Sequence, residues 1–252
     1  MSTRRLFVPP ERWHATPITV SGDEHHHLAR VLRARAGDVV TLFDGVGAEA
    51  QARVVRVGRT ETELAIAAAP RPGAAEEAPP LVLLTAVPRG GRMDFLVQKC
   101  AELGVARLVP IVTARSVVRP EPGKRVRWEK IAREASRQSG RADVPAVGAP
   151  VALAAALAAP DLPARRLLFS PDAAAPSMRA LLPDRAATAL LVGPEGGFAA
   201  AEVDAARAAG FQPASLGAYI LRVETAAIVA VALAQEAMGA MGPMGAQSPG
   251  ER

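Results

Sequence analysis

The segment ALLVGPEGG at residues 189–197 carries the strongest signal for the fold of this chain. The apolar run 189–192 predicts a short buried strand, and a helical pattern begins near Ala200. Between them, three glycines allow backbone groups to approach a ligand closely. Open α/β sheets bind ligands at the carboxyl ends of their strands. The segment therefore predicts an α/β fold with a ligand-binding loop at 193–197, with an ordinary strand-to-helix turn as the alternative.

This glycine loop differs from the common nucleotide-binding motifs. Its spacing does not fit the dinucleotide fingerprint, and it lies late in the chain rather than after the first strand. It also has no Walker lysine. A different class of ligand is indicated.

A second glycine-containing loop follows at residues 216–222, with the sequence LGAYILR. It leads through Glu224 and Thr225 into a long apolar helix. Two such loops at successive strand ends suit one pocket for a flat, uncharged group such as adenine. Alternatively, Glu224 and Thr225 are an ordinary helix start, with a carboxylate near the positive end of the helix dipole.

Strands and helices alternate through the rest of the second half, which predicts a mainly parallel sheet covered by helices. The predicted strands are 81–87, 108–112, 167–169 and 189–192, and the predicted helices are 93–103, 128–139, 200–209 and 224–238. Residues 71–80, rich in Pro and Gly, predict a linker, and residues 239–252 predict a disordered tail.

The first 70 residues show a different sequence pattern. Short apolar or alternating runs at 6–8, 18–20, 39–43, 52–57 and 63–67 predict a small β-barrel. One helix, 25–33, interrupts them, with Ser21 as the expected N-cap and Glu24 at the capping-box position.

Composition excludes several classes of protein. Half of the 252 residues are apolar, but the longest apolar runs, 151–159 and 226–234, are too short to span a bilayer. No signal peptide is expected, and the single cysteine, Cys100, excludes an intramolecular disulfide. Its apolar neighbours predict a buried small hydrophobe rather than a nucleophile. A cytoplasmic protein is expected.

The net charge of +5 is concentrated in one part of the chain. Residues 88–145 hold 13 basic and 6 acidic side chains, which favours a polyanionic partner over a merely solvated face. Consecutive residues on a helix point about 100° apart, so His25, His26 and His27 are poorly placed to share a metal ion. We expect a polar surface there and no metal.

Five motifs together resemble the RsmE-type ribosomal RNA methyltransferases of the SPOUT superfamily, in the same order along nearly the whole chain. They are HHHL with VLR (25–33), QK with ELGV (98–105), QSGR (138–141), GPEGG (193–197), and LG with ILR and ETA (216–226).

The resemblance implies S-adenosylmethionine-dependent methylation of uridine N3 at position 1498 of 16S ribosomal RNA in the small ribosomal subunit. It implies a PUA-like barrel at 1–70, a linker at 71–80, and a SPOUT domain with a trefoil knot at 81–238. A homodimer is also implied. The alternatives are a non-catalytic ribosome-assembly factor and a related enzyme that methylates another nucleotide.

Roles for individual residues follow from the resemblance and from the chemistry. Arg222 would stabilise the anionic substrate, and Glu224 or Glu195 would remove or orient the proton. The cofactor-binding residues would be Gly193, Pro194, Glu195, Gly196, Gly197, Leu216, Gly217, Ile220, Leu221 and Arg222. The RNA-binding residues would be Arg4, Arg5, His25, His26, Arg30, Arg33, Arg92, Arg133, Arg137 and Arg141.

The chain departs from the family pattern at three places. Tyr219 stands where a basic residue is common, and Arg137 stands where an acidic residue is usual. The segment 89–92, RGGR, replaces the usual lysine-containing entry to the following helix. The last two changes keep or add positive charge.

Overall fold

The computed structural model describes residues 4–73, 79–119, 123–170 and 174–240. These residues form two compact units. The first contains 4–73 and 132–144, and the second contains the described parts of 79–131 and 145–240. Half of the predicted linker, residues 74–78, and most of the predicted disordered tail, residues 241–252, lie outside the described residues, so both stay predictions.

The first unit is built on a mostly antiparallel sheet with the strand order β1-β3-β4-β5-β2, and β6 pairs with β4. Only β1 and β3 run parallel. Alternate side chains of these strands form its apolar core, including Leu6, Ile18, Leu42 and Leu64. The strands are β1 (Arg5–Phe7), β2 (Ile18–Ser21), β3 (Val39–Phe43), β4 (Ala48–Val57), β5 (Glu61–Ile66) and β6 (Arg71–Pro72).

The predicted helix in this unit is real, but its predicted capping box is wrong. Helix α1 (Gly22–His26) continues as a π-helical turn through His27–Val31. Ser21 occupies the N-cap position without a side-chain capping hydrogen bond. The carboxylate of Glu24 instead accepts a hydrogen bond from Arg137 Nη2 at 2.6 Å. The Glu24 carboxylate thus pairs with the buried Arg137 rather than with the backbone at the start of α1.

Residues 132–144 belong to the first unit, although nothing in their sequence pattern indicates it. The amide of Gly45 donates to the carbonyl of Ala142 at 3.0 Å, and the amide of Val144 donates to the carbonyl of Gly45 at 2.9 Å. A Cβ on Gly73 would lie only 2.4 Å from the Cβ of Ala142. Gly45 and Gly73 therefore leave room for residues 132–144 to pack against them, although this segment lies some 70 or more residues further along the chain.

Burial argues against four of the predicted RNA contacts. Arg137 is 5% exposed and paired with Glu24, and Arg141 is 9% exposed and paired with Asp143. The buried His25 ring shares a hydrogen bond with the Thr62 hydroxyl, Nδ1 to Oγ1, at 2.9 Å. Arg5 is mostly enclosed and donates to Glu49 at 3.0 Å and to the carbonyl of Arg141 at 3.0 Å. These side chains are engaged within the unit, which disfavours them as phosphate contacts, and their role in RNA binding stays a prediction.

The second unit is a parallel sheet with helices, as predicted. Its strand order is β10-β8-β7-β12-β11-β13, and β9 pairs with β8. The strands are β7 (Leu81–Ala86), β8 (Arg107–Val112), β9 (Ala146–Val147), β10 (Val151–Ala152), β11 (Arg165–Phe169), β12 (Thr188–Val192) and β13 (Gln212–Ala214). The helices in this half of the chain are α2 (Arg92–Glu102), α3 (Lys124–Ser139), α4 (Leu153–Leu157), α5 (Ala200–Ala208) and α6 (Val223–Ala237), and residues 132–139 of α3 belong to the first unit.

The four strands and four helices predicted for this half are confirmed to within a few residues. The prediction missed the short strands β9, β10 and β13 and the one-turn helix α4. Each has five residues or fewer, so it carries too few positions to show a periodicity.

Strand pairing brings three loops to one edge of this sheet. Val192 at the end of β12 pairs with Phe169 at the end of β11, and Phe169 pairs with Ala214 at the end of β13. All three strands are parallel, so their carboxyl ends meet at the same level. The loops that follow them are therefore neighbours.

The interior of the second unit explains two sequence features. Cys100 is fully buried on α2, and burial raises the pKa of its thiol, so it packs as a small apolar side chain. On α6, Ala227, Ala230 and Ala234 are fully buried and let the helix approach its neighbours closely.

Across the described residues, no helix combines the length and apolar character needed to cross a bilayer.

The buried Arg137–Glu24 pair yields a test of stability. At neutral pH, Arg137→Met should lower the free energy of unfolding of the first unit by about 3 kcal/mol or more, because a buried carboxylate is left without its cation. Burial raises the pKa of Glu24, whereas the charge of Arg137 lowers it. Removing Arg137 therefore raises the pKa of Glu24 further. The folded variant then takes up a proton at a higher pH than the unfolded chain does.

Its loss of stability should therefore shrink as the pH falls through the raised pKa of Glu24. Urea unfolding followed by Trp13 fluorescence in a Trp128→Phe background measures this, because the chain has only two tryptophans. The double variant Glu24→Gln, Arg137→Met is the control and should lack the pH dependence. Equal stability of Arg137→Met and the parent at neutral pH would contradict the assignment.

Candidate cofactor pocket

A cavity of about 590 Å³ lies where the loops after β11, β12 and β13 meet. Its volume is in the range of small-molecule sites. The start of α6 completes its wall. The lining residues are Phe169, Ser170, Val192, Gly193, Pro194, Glu195, Gly197, Ala214, Ser215, Leu216, Gly217, Ala218, Tyr219, Ile220, Leu221, Val223 and Ala226.

The two loops chosen from the sequence thus form one cavity. Of the ten predicted cofactor residues, eight line it, whereas Gly196 and Arg222 do not. Sequence reasoning missed Phe169 and Ser170 after β11, and Ala214 and Ser215 at the end of β13. No local motif marks these residues, because only the strand order brings them to the cavity. That the pocket residues bind a cofactor remains a prediction.

The glycines of the first loop serve different purposes. A Cβ on Gly193 would lie 2.7 Å from the buried ring of Phe198, so close packing excludes a side chain there. Gly197 has a φ of +68°, a left-handed conformation that L side chains rarely adopt, and nothing lies within 4 Å of its Cβ position. The first glycine is required by packing and the last by backbone conformation.

Hydrogen bonds from outside the loop hold it in place. Arg115 Nη1 donates to the carbonyl of Gly196 at 3.0 Å. Glu202 accepts from the amides of Ala114 and Ala199 at 2.7 and 2.8 Å. Glu195 Oε1 accepts from the amide of Arg89 at 3.3 Å. The loop is therefore built into the fold before any ligand arrives.

The first turn of α6 carries the two remaining candidate catalytic residues. Arg222 is the N-cap residue, is exposed, and pairs with no carboxylate in the part of the chain described here. Glu224 is buried, and its Oε1 lies 3.3 Å from Arg92 Nη1. Its Oε2 is also buried and has no hydrogen-bond partner among the described residues. A buried carboxylate oxygen without a partner is costly, which points to a function.

The remaining predicted RNA contacts divide into two groups. His26, Arg30 and Arg33 are exposed in and just after the α1 region. Arg4 is ion-paired with Asp38, and the guanidinium of Arg133 lies 5.0 Å from the centre of the Phe7 ring. Arg92, 43% exposed, is partly engaged by Glu224. The three exposed side chains, His26, Arg30 and Arg33, are therefore better placed to contact phosphates than the three that already have partners.

Comparison with protein families matches both halves of the chain. Residues 76–235 match the family described as RNA methyltransferase domain, and residues 20–66 match the RNA methyltransferase PUA domain. Ribosomal RNA small subunit methyltransferase E of Synechocystis sp. is 34% identical over 235 residues, covering 90% of this chain and 76% of the relative. The same-named protein of Bacillus subtilis is 29% identical, covering 86% and 89%.

Solved structures give the same result. A methyltransferase of Legionella pneumophila in complex with SAM has a TM-score of 0.84 at 32% identity, covering 94% of this chain and 98% of its own. Ribosomal RNA small subunit methyltransferase E of Neisseria gonorrhoeae, bound to S-adenosyl methionine, has a TM-score of 0.80 at 32% identity, covering 93% and 97%. These matches confirm the predicted fold class.

The packing at Gly193 predicts the cost of a single methyl group. Gly193→Ala should lower the free energy of unfolding by about 1–3 kcal/mol, because the buried Phe198 ring must move aside. Gly148→Ala in the same unit is the matched control, since the nearest atom to its Cβ lies at 3.6 Å. Thermal denaturation of both variants measures the difference. Equal midpoints would show that the ring does not constrain the loop.

Proposed function

Because this chain belongs to the ribosomal RNA small subunit methyltransferase E family, we propose that it transfers a methyl group from S-adenosylmethionine to N3 of a uridine in 16S ribosomal RNA. The observation that carries this proposal is the cavity formed by two glycine loops at the carboxyl ends of parallel strands, the first of them braced by Arg115. The substrate, RNA of the small ribosomal subunit, places the reaction in the cytoplasm.

The lining of the cavity fits the cofactor. It consists mostly of apolar side chains and glycine backbone, which suit a flat adenine ring held by main-chain hydrogen bonds. Glu195 is the one charged lining residue in the part of the chain that is described, and its negative charge complements the ammonium and sulfonium groups of S-adenosylmethionine. When bound, the cofactor supplies an electrophilic methyl group.

The chain must stabilise the nucleophile that attacks this methyl group. Uridine N3 loses its proton, and the resulting negative charge spreads onto the two flanking carbonyl oxygens. Arg222 is exposed between the lining residues Leu221 and Val223, at the N-terminus of the 15-residue helix α6. Its guanidinium and the helix dipole both favour negative charge there. We assign Arg222 to stabilisation of the substrate anion.

Glu224 is the better candidate for receiving or orienting the N3 proton. Its buried Oε2 retains free acceptor capacity among the described residues, while Arg92 Nη1 lies 3.3 Å from Oε1 and orients the carboxylate. Glu195 is exposed, and one of its oxygens already accepts from the Arg89 amide. We therefore assign Glu224 to the proton and Glu195 to the cofactor.

The exposed cations of the first unit suit the RNA backbone. Arg30 and Arg33 present positive charge without a paired carboxylate among the described residues, and the exposed His26 ring lies in the same region. Phosphate contacts of this kind hold an RNA in register without reading its sequence.

We also propose that the enzyme acts as a homodimer, as the family resemblance implies. Light scattering at micromolar concentration tests this, and a fully active monomer would contradict it.

The proposed reaction is tested on RNA from a strain that lacks the gene. Small subunits from that strain, incubated with the enzyme and labelled S-adenosylmethionine, should gain one methyl group on one uridine base. Nucleoside mass spectrometry distinguishes N3-methyluridine from ribose-methylated uridine. A methyl group on ribose or on another base would overturn the N3 assignment. No methylation together with normal cofactor binding would favour a non-catalytic RNA-binding role.

Removal of Arg222 should affect chemistry more than binding. Arg222→Ala should bind S-adenosylmethionine and small subunits within a few-fold of the parent, because it interacts mainly with charge that develops during the reaction. Its single-turnover rate should fall on the order of 100-fold or more, the scale of losing one oxyanion donor. Arg222→Lys, which keeps the charge, should recover part of the rate. Loss of RNA binding with a preserved rate at saturation would instead assign Arg222 to phosphate contact.

Arg30 should contribute a salt-dependent phosphate contact. Arg30→Ala should weaken binding to small subunits and lower the slope of log affinity against log salt by about 0.7–0.9, the value for one lost contact. Arg56→Ala is the matched control, because Arg56 is exposed in the same unit but already paired with the carboxylates of Glu61 and Glu63. Filter binding at several salt concentrations measures both slopes. An unchanged slope for Arg30→Ala would remove this residue from the RNA contacts.

A further inference from the structure

The tip of the second pocket loop exposes two neighbouring apolar side chains. Tyr219 is 86% exposed and Ile220 is 89% exposed, the highest values for large apolar residues in the part of the chain described here. Scattered single exposures of this kind are normal on protein surfaces. Two consecutive ones, more exposed than any other, call for a physical explanation.

Their position supplies that explanation, because both residues also line the cofactor cavity. Side chains that are almost fully exposed and still line a cavity stand at its mouth. Gly217, with a φ of +124°, allows the loop to turn between β13 and α6 and to project this tip. The tip therefore borders the open side of the cavity.

The chemistry of the side chains at the tip indicates which part of an RNA would bind there. An aromatic ring offers a flat π-face, which stacks on nucleobases, whereas phosphate groups are bound by cations and amides. Enzymes that modify a base must take it out of its stack, and the extruded base needs a new stacking partner. Tyr219 is the only tyrosine in the chain, and it is an exposed residue of the cavity lining.

We propose that Tyr219 stacks on the acceptor nucleobase and fixes its plane at the mouth of the cavity, with Ile220 extending the apolar surface beside it. This inference rests on the proposed function, since it assumes an RNA base as the methyl acceptor. Methyl transfer needs the acceptor nitrogen in line with the departing sulfur, so fixing the plane of the base increases the fraction of productive complexes. Tyr219 is thus a substrate-positioning residue.

Stacking makes specific demands on the side chain. The interaction uses the face of the ring, so the hydroxyl group is dispensable and the ring is not. It involves no ion pair, so it should not contribute to the salt dependence of RNA binding. It touches the acceptor base and not the cofactor, so the affinity for S-adenosylmethionine should not depend on it.

The test compares Tyr219→Phe, Tyr219→Ala and Tyr219→Arg in single-turnover methylation of unmodified small subunits. Tyr219→Phe should stay within about 3-fold of the parent. Tyr219→Ala should lose about 10- to 100-fold in kcat/KM, the range expected for one base–aromatic stack. Its salt slope should be unchanged, and its affinity for S-adenosylmethionine by calorimetry should match the parent.

A matched control is Val126→Ala, which removes an exposed apolar side chain of the same unit that does not line the cavity. It should leave both the rate and the cofactor affinity unchanged. A 10-fold or greater loss of cofactor affinity in Tyr219→Ala would overturn the proposal and place the ring against the cofactor. Dissociation of a dimer by Tyr219→Ala, seen by light scattering, would also overturn it and place the ring against a second copy of the chain.

Two further outcomes would overturn it. Activity of Tyr219→Ala equal to that of the parent would exclude a stacking role. Activity of Tyr219→Arg above that of the parent, with a steeper salt slope, would make the position a phosphate contact. Failure of the parent enzyme to methylate small subunits would count against the proposed function instead, so the two hypotheses are tested separately.

Discussion

The parallel pairing of β12 with β7 on one side and β11 on the other is the constraint on which the rest of the second unit depends. It places a strand from late in the chain in the middle of the sheet, beside the first strand of the unit. It also fixes the carboxyl ends of β11, β12 and β13 at one level. The cavity, its two glycine loops and the first turn of α6 all follow from this arrangement.

The first pocket loop, 193–197, is held in place by contacts unrelated to a ligand. Phe198 leaves no space for a side chain at Gly193, and Arg115 and Glu202 hold the backbone from outside. A site of this kind binds without first having to be ordered, so less of the interaction energy is lost on binding. The exposed tip at Tyr219 and Ile220 contrasts with it, because those side chains find little to pack against in the chain itself.

Charge along the sequence proved a poor guide to charge on the surface. The excess of basic residues at 88–145 suggested a polyanion-binding segment, yet much of it is neutralised internally. Arg137 and Arg141 are buried with acidic partners in the first unit, while Lys99, Arg107 and Arg127 pair with carboxylates in the second. The counterions of Arg137 and Arg107 lie 113 and 54 residues away in sequence, so segment counts miss them.

The amino-acid sequence was sufficient for the α/β class, the main strands and helices, and the two glycine loops, because these depend on short-range periodicity and on backbone freedom at glycine. It could not reveal that Phe169 and Ser170 reach the same cavity, that residues 132–144 join the first unit, or that Glu24 binds Arg137 instead of capping α1. Those features arise from contacts between residues far apart along the chain. Such contacts form only when the strand order and the burial of side chains are set by the folded protein as a whole.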